Sequence, residues 1–367
     1  MGDRMTSSAQ KYLKKVPQYT RNARHLWSVA RHGTPRKLAN LARVEFERKA
    51  RRIELKGHPY LLIIDPCNYC NLRCPLCPTG LGTLGRQQSM LSLAHFKQYF
   101  DPVADYLFEA YLHNWGESML NKQVFDMIAY AQSRNVGTNL SSNLSDTSSS
   151  DIDRLLDSGL EYLIVSLDGT SRPSYSKYRV RGKFENVVEN MHELIRRRNA
   201  RGLKTPRVEW QFIVMKQNEH EVSEAEMLAK KIGVDLLRFI PVGMPYDTCD
   251  REAVAKEWYP VTIEGREYAP DDVEQQFGQH HKPSPCFYLY RTMVVNADGG
   301  VSPCCVVYKE SSDFAKLPAT DMMSLWNNDR YQSARALFSP RHARNAVETI
   351  CDGCGIFAKH PSKECLQ

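Results

Sequence analysis

The chain is 367 residues long, 42% hydrophobic and 25% charged, with eleven cysteines and a formal net charge of +7. That is the composition of one large globular domain or two smaller ones. No apolar run approaches the roughly 18 residues of a membrane span and no signal-peptide core is present, so a cytoplasmic location is expected. A reducing compartment keeps thiols free, which argues against a disulfide framework and turns the close cysteine spacing toward metal.

Residues 1–57 hold fifteen Lys and Arg against four Asp and Glu, an excess of eleven positive charges. The pattern predicts a basic helical extension whose buried stripe is Leu26, Trp27, Val29, Leu38, Leu41, Val44 and Phe46. The alternative is a surface for an anionic partner: a membrane, an acidic substrate or, last in rank for want of a folded binding motif, a nucleic acid. From Pro59 short apolar runs alternate with amphipathic stretches. Strands are expected over 60–64, 109–112, 137–140, 162–167, 207–214 and 236–240, with helices over 93–104, 124–133, 149–158, 184–200 and 222–232. Strands alternating with helices mean βα units and a parallel sheet, either doubly wound or rolled into a barrel.

The distinctive residues fall where strands end, the place such sheets keep their functional groups. Cys67, Cys70, Cys74 and Cys77 follow the first strand, and the last three stand at C-x3-C-x2-C. Three thiolates can hold three irons of a cubane cluster and leave the fourth iron without a protein ligand. A zinc knuckle is the competing reading, since Cys67-x2-Cys70 and Cys74-x2-Cys77 also form two CxxC pairs. His113-Asn-Trp-Gly116-Glu117 follows the second strand, Ser141-Ser142-Asn143 the third, Ser166-Leu-Asp168-Gly169 the fourth, and 241–249 the sixth. Beyond 245 come an acidic connector and then Cys286, the turn Asp298-Gly299-Gly300 before Cys304 and Cys305, Cys351-x2-Cys354, and Cys365. Strands over 293–296 and around Val306 are expected to make a hairpin at that turn, with a short helix at Ser324–Asn327. Its cysteines and the later CxxC can converge as four ligands, for zinc or iron–sulfur alike.

With the cysteine loop, Trp115-Gly116-Glu117-Ser118 and Val165–Gly169 in order, the chain resembles the radical S-adenosylmethionine superfamily over residues 58–245. The resemblance implies a partial (β/α)6 TIM-like barrel. It implies a 4Fe–4S cluster on Cys70, Cys74 and Cys77 whose open iron chelates S-adenosylmethionine, with Cys67 outside the ligand set. Gly116 and Glu117 correspond to the family's glycine–glutamate motif that holds the methionyl amine, Trp115 replacing its first glycine. Ser142, Asn143, Ser166 and Arg179 are then cofactor-binding positions. C-x12-G-x4-C with a later C-x2-C is similar to the auxiliary-cluster region of the SPASM and twitch subfamilies, and the missing further cysteines favour the shorter twitch form. That form implies one auxiliary 4Fe–4S cluster on Cys286, Cys304, Cys351 and Cys354, with Cys305 able to stand in for Cys304 and Cys365 without a role.

The domains expected are a basic extension at 1–57, the barrel at 58–250, a connector at 251–285 and the auxiliary-cluster unit at 286–367. The activity implied is reductive cleavage of S-adenosylmethionine to a 5′-deoxyadenosyl radical, then hydrogen abstraction from a small polar metabolite or sugar, the auxiliary cluster taking up an electron. Flavodoxin or ferredoxin would supply the reducing electron. Cys249, with Tyr246 and Asp247 past the sixth strand, is a candidate hydrogen-atom donor and would make the enzyme an epimerase instead. A peptide- or lipid-modifying maturase and a non-enzymatic zinc or iron–sulfur module are further alternatives. Asn114, Arg181 and Gln211 are expected to reach the substrate by position alone.

Overall fold

The computed structural model describes residues 23–260, 262–263, 266–267, 285–318, 321–339 and 347–354. Six parallel strands, β1 (Leu61–Ile64), β2 (Glu109–Tyr111), β3 (Gly137–Ser142), β4 (Tyr162–Ser166), β5 (Arg207–Val214) and β6 (Leu236–Pro241), lie side by side in chain order. Helices Leu93–Ala104, Val124–Ser133, Ser149–Asp157, Phe184–Ala200 and Val222–Ile232 form the crossovers. A doubly wound sheet reverses its strand order at a switch point. An order that never reverses, with right-handed crossovers, puts every helix on one face and curls the sheet into a partial barrel. Topology thus decides what periodicity could not.

Register shows why the two faces differ. Leu62, Leu140, Leu163, Val165, Trp210 and Phe212 are buried in one cluster with Phe96, Phe100, Ile128, Leu155 and Met191 from the helices. The alternate positions line the inside of the barrel, where Tyr111 pairs with Asn139, Asn139 with Tyr162, and Gln211 with both Ser166 and Arg238. A slip of one residue would exchange the two sets, so the register is strongly specified.

The C-terminal hairpin extends this sheet. β7 (Thr262–Ile263) and β8 (Arg266–Glu267) form a separate small pair, whereas β9 (Thr292–Val295) runs parallel to β1 along its outer edge. β10 (Gly300–Ser302) and β11 (Ala315–Lys316) then follow antiparallel. The hairpin turns as expected, Gly299 taking φ +84°, but its second strand is β10 and not the segment around Val306, which is exposed.

The expected N-terminal stripe is corrected. Helix α1 (23–32) and helix α2 (Pro35–Lys49) leave Leu26, Trp27, Leu38 and Phe46 exposed. Of that stripe only Val44 is fully buried, with Val29 and Leu41 partly so. The side chains turned inward are mostly polar, because the helices pack on the N-terminal rim of the strands, where backbone groups need partners. Ser28 donates to the Phe108 carbonyl, Lys37 to that of Asn135, and Glu47 accepts from the Lys56 and Gly57 amides. Among the described residues no helix is long and apolar enough to cross a membrane.

Candidate functional site

The loop leaving β1 folds back on itself around its cysteines. Cys77 precedes the short helix Pro78–Leu81, and a Cβ on Gly80 would stand 2.6 Å from the Cys74 backbone. The segment after β2 presses on the same loop: a Cβ on Gly116 would lie 1.9 Å from the Cys67 carbonyl oxygen, so only glycine fits. The Glu117 amide donates to Tyr69 O (2.9 Å), Thr79 Oγ1 to Trp115 O (2.8 Å), and the Cys67 thiol to Glu117 O (3.0 Å). Cys67 is thereby engaged in joining the two segments.

Cys70, Cys74 and Cys77 share one electrostatic neighbourhood. Burial pushes the Cys70 thiol up to about 12, and Glu117, Cys74 and Cys77 add to the shift. Burial also raises Cys74, opposed by Arg179, whose Nη1 is 3.9 Å from its sulfur. Arg179 is held 2.5 Å from Asp168, which also accepts from the Ile213 amide at 2.7 Å. Among the described residues no three His, Cys, Asp or Glu side chains are arranged around a single metal ion. A cubane places its ligand sulfurs on separate irons, so its cysteines need not converge on one point.

Glu117 is a buried carboxylate held by neutral donors: Ser142 Oγ (2.7 Å), the Asn143 amide (2.8 Å) and the Met119 amide (3.2 Å). Burial raises its pKa against those bonds. Asn143 reaches back to the cysteine loop, its Nδ2 2.9 Å from Asn71 Oδ1 and 3.9 Å from Cys70 sulfur. Ser166 ends β4 on the inner face beside Gln211. Among the described residues Asp65 Oδ1, His113 Nδ1, Asn114 Nδ2 and Trp115 Nε1 are buried without a hydrogen-bond partner. Unsatisfied polar atoms gathered beside a loop of thiols mark a site built for something further. The donor set, the glycine contact and the orphaned atoms fit a chelated cofactor there.

The C-terminal cysteines gather separately. Burial pushes Cys286 up to about 11 with Cys354 and Cys305 contributing, and Cys304 up to about 12 with Cys305 and Cys286 contributing. Cys351 is raised by burial, then by Cys304, Cys286 and Cys354. Cys305 sulfur is 3.0 Å from the Tyr288 hydroxyl. Cys365 lies outside the described residues.

Contacts that the sequence did not announce tie the two cysteine regions together. Arg86, in the first loop and 1% exposed, pairs with Asp298 (3.2 Å) and Asp313 (2.5 Å) and donates to Tyr308 O (2.5 Å). Tyr308 packs its ring 4.9 Å from both Trp115 and Tyr246 and donates its hydroxyl to Asp247, which also pairs with Lys309 at 3.0 Å. Cys77 adds to the electrostatic field at Tyr308. Tyr246 and Asp247 therefore sit against the C-terminal unit and close to the first loop. Cys249 is disulfide-bonded. Gln211 accepts from Arg238 at 2.6 Å, and Arg181 takes φ +71° beyond Arg179.

Residues 286–355 match the SPASM family, an iron–sulfur cluster-binding domain. The pre-heme d1 synthase of Dinoroseobacter shibae is 25% identical over 181 residues, 49% of this chain and 43% of that protein. The AdoMet-dependent heme synthase of Methanosarcina barkeri is 24% identical over 182 residues, 49% of this chain and 50% of that protein. The chain thus spans half or less of the length of these relatives. SuiB of Streptococcus suis, solved with S-adenosylmethionine bound, shares the fold: TM-score 0.56, 14% identity, 87% of this chain and 74% of that one.

Proposed function

We propose that this chain, a member of the radical S-adenosylmethionine superfamily with a C-terminal SPASM-type region, oxidises a small polar molecule at an unactivated C–H bond. Its cofactors are S-adenosylmethionine and two 4Fe–4S clusters. Cys70, Cys74 and Cys77 would hold the first cluster, and Cys286, Cys304, Cys351 and Cys354 the second, with Cys305 the alternative to Cys304. S-adenosylmethionine, when bound and given one electron by a flavodoxin- or ferredoxin-type donor, would supply a carbon radical able to take a hydrogen atom from substrate, and the second cluster would accept the electron left on the substrate, completing a two-electron oxidation.

The residues of the chain have positioning work to do. Glu117, a buried anion with only neutral hydrogen-bond donors, would receive the methionyl ammonium, which replaces lost hydration with an opposite charge. Ser142 and Asn143 fix that carboxylate, and Arg179 would stabilise the Cys74 thiolate while Asp168 holds it in place. Ser166 adds a hydroxyl to the inner wall beside Gln211. Asp247 is poised as a wall and not as a base: burial alone would raise it, but Tyr308 and Lys309 hold it below the usual carboxylate range. A polar inner face, with Gln211 beside Ser166 and Arg238, favours a polar substrate. Epimerisation, the second reading, would require an S–H bond at Cys249 as the hydrogen donor.

The observation that carries the reading is the three-thiol loop pressed against Gly116, whose next residue is a buried carboxylate hydrogen-bonded only by neutral donors. Anaerobic reconstitution tests it. About eight irons per chain, with 5′-deoxyadenosine formed on reduction and no solvent deuterium in the product, is the expected result. One or two zincs and no cleavage would overturn the reading, and solvent deuterium in the product would favour the epimerase.

A further inference from the structure

α2 is built inside out. Its buried side chains are Lys37, Asn40, Val44 and Glu47, three of them polar and bonded to the strand rim. The opposite face carries Leu38, Ala39, Ala42 and Phe46, which fall within about a quarter turn of one another at 100° per residue. Leu38 is 46% and Phe46 62% exposed, and α1 adds Leu26 at 67% and Trp27 at 44%. Single exposed apolar side chains need no explanation, but four large ones on two successive helices that bury polar groups instead mark an interaction surface.

The charge around them names the partner. Arg43 and Lys49 lie exposed beside Phe46. Glu45, the acid nearest that face, is turned to Arg291 at 2.5 Å. Residues 1–57 concentrate an excess of eleven positive charges on a chain whose net charge is +7, so the remainder is net negative. A second copy packed on this face would bring Arg43 and Lys49 toward their own counterparts. Trp, Leu and Phe among Arg and Lys on a helix suit the headgroup–acyl boundary of an anionic bilayer.

We propose that the exposed face of α2, with Leu26 and Trp27 of α1, docks on an anionic membrane surface, Leu38 and Phe46 entering between headgroups and Arg43 and Lys49 meeting lipid phosphates. This is surface attachment and not a span. The face belongs to the barrel's N-terminal end, since α2 contacts Asp105, Tyr106, Asn135 and His58, all just before strands. The cysteine loop is at the other end, so docking leaves the mouth of the barrel turned to solution.

The full chain should co-sediment with vesicles of phosphatidylcholine containing about one third phosphatidylglycerol, and not with phosphatidylcholine alone. Raising salt from about 0.1 M to about 0.5 M should weaken binding. L38Q/F46Q should lose about tenfold or more at every salt concentration, and R43Q/K49Q mainly at low salt, each with an unchanged melting temperature. Absence of binding by the unmodified chain would overturn the proposal. So would L38Q/F46Q binding at full strength, or a Phe46-dependent dimer in place of vesicle binding. No cofactor chemistry enters the measurement, so its failure would leave the proposed oxidation intact.

Discussion

At the N-terminal end of the barrel Glu109, Glu161 and Glu45, three carboxylates that bond α1 or α2 to a strand or its approach, each have a cation. Glu109 lies 2.9 Å from His25 and under the field of Arg24, Glu161 pairs with Arg31 and His32 at 2.9 Å, and Glu45 pairs with Arg291 at 2.5 Å. Arg24 also lies over the rings of Tyr162 and Tyr111. At the C-terminal end Asp65 and Glu117 are buried too, but among the described residues their hydrogen bonds come only from amides and a hydroxyl, and Arg86 and Arg179 act on them only through their fields. The consequences have opposite signs. Burial alone would raise Glu109 and Glu45, but their cations hold both low, Glu45 at about 2. Burial pushes Asp65 up to about 7 and raises Glu117. One end is finished within the chain; on the proposed reading the other would be completed by the methionyl ammonium.

Substitutions can break this contrast. Glu109→Gln should strand His25 and Arg24 and cost about 3 kcal/mol in chemical denaturation, with S-adenosylmethionine affinity unchanged. Glu117→Gln should do the reverse, leaving stability level or higher while weakening cofactor binding about 10- to 100-fold by calorimetry. If Glu117→Gln unfolds the chain and Glu109→Gln does not, the two ends have been assigned the wrong way round.

Acidity supplies a finer test. Glu45 has a folded pKa below its unfolded value, so its contribution is present above about 4.5 and lost as pH falls toward about 2; of order 2 kcal/mol is at stake after allowing for its partial exposure. Asp65 has a folded pKa above its unfolded value, so its contribution is present below about 4 and lost as pH rises toward about 7. Denaturation midpoints across pH should show both slopes, Glu45→Gln removing the acid one and Asp65→Asn the other.

Much of this was legible in the chain itself, for identifiable reasons. Strand runs such as 207–214 announce themselves through the outward Val208, Trp210 and Phe212, and the cysteine spacing carries its chemistry in eight residues. The α1 and α2 stripe misled because apolar spacing predicts burial only when the surface it meets is apolar, and the strand rim is not. Arg86 gave no local signal, its partners Asp298 and Asp313 lying 212 and 227 positions away. Trp115, odd as a replacement for glycine, is explained by Tyr308, which packs on its ring.

The central claim is that the two cysteine sets hold separate clusters with separate tasks. It is tested most directly by 5′-deoxyadenosine formed on reduction of the reconstituted full chain, comparing Cys74→Ala with Cys351→Ala at matched protein folding. The account predicts that each variant loses about half its iron, that Cys74→Ala forms no deoxyadenosine, and that Cys351→Ala still forms it. Deoxyadenosine from Cys74→Ala, or none from the iron-replete unmodified chain, would contradict it.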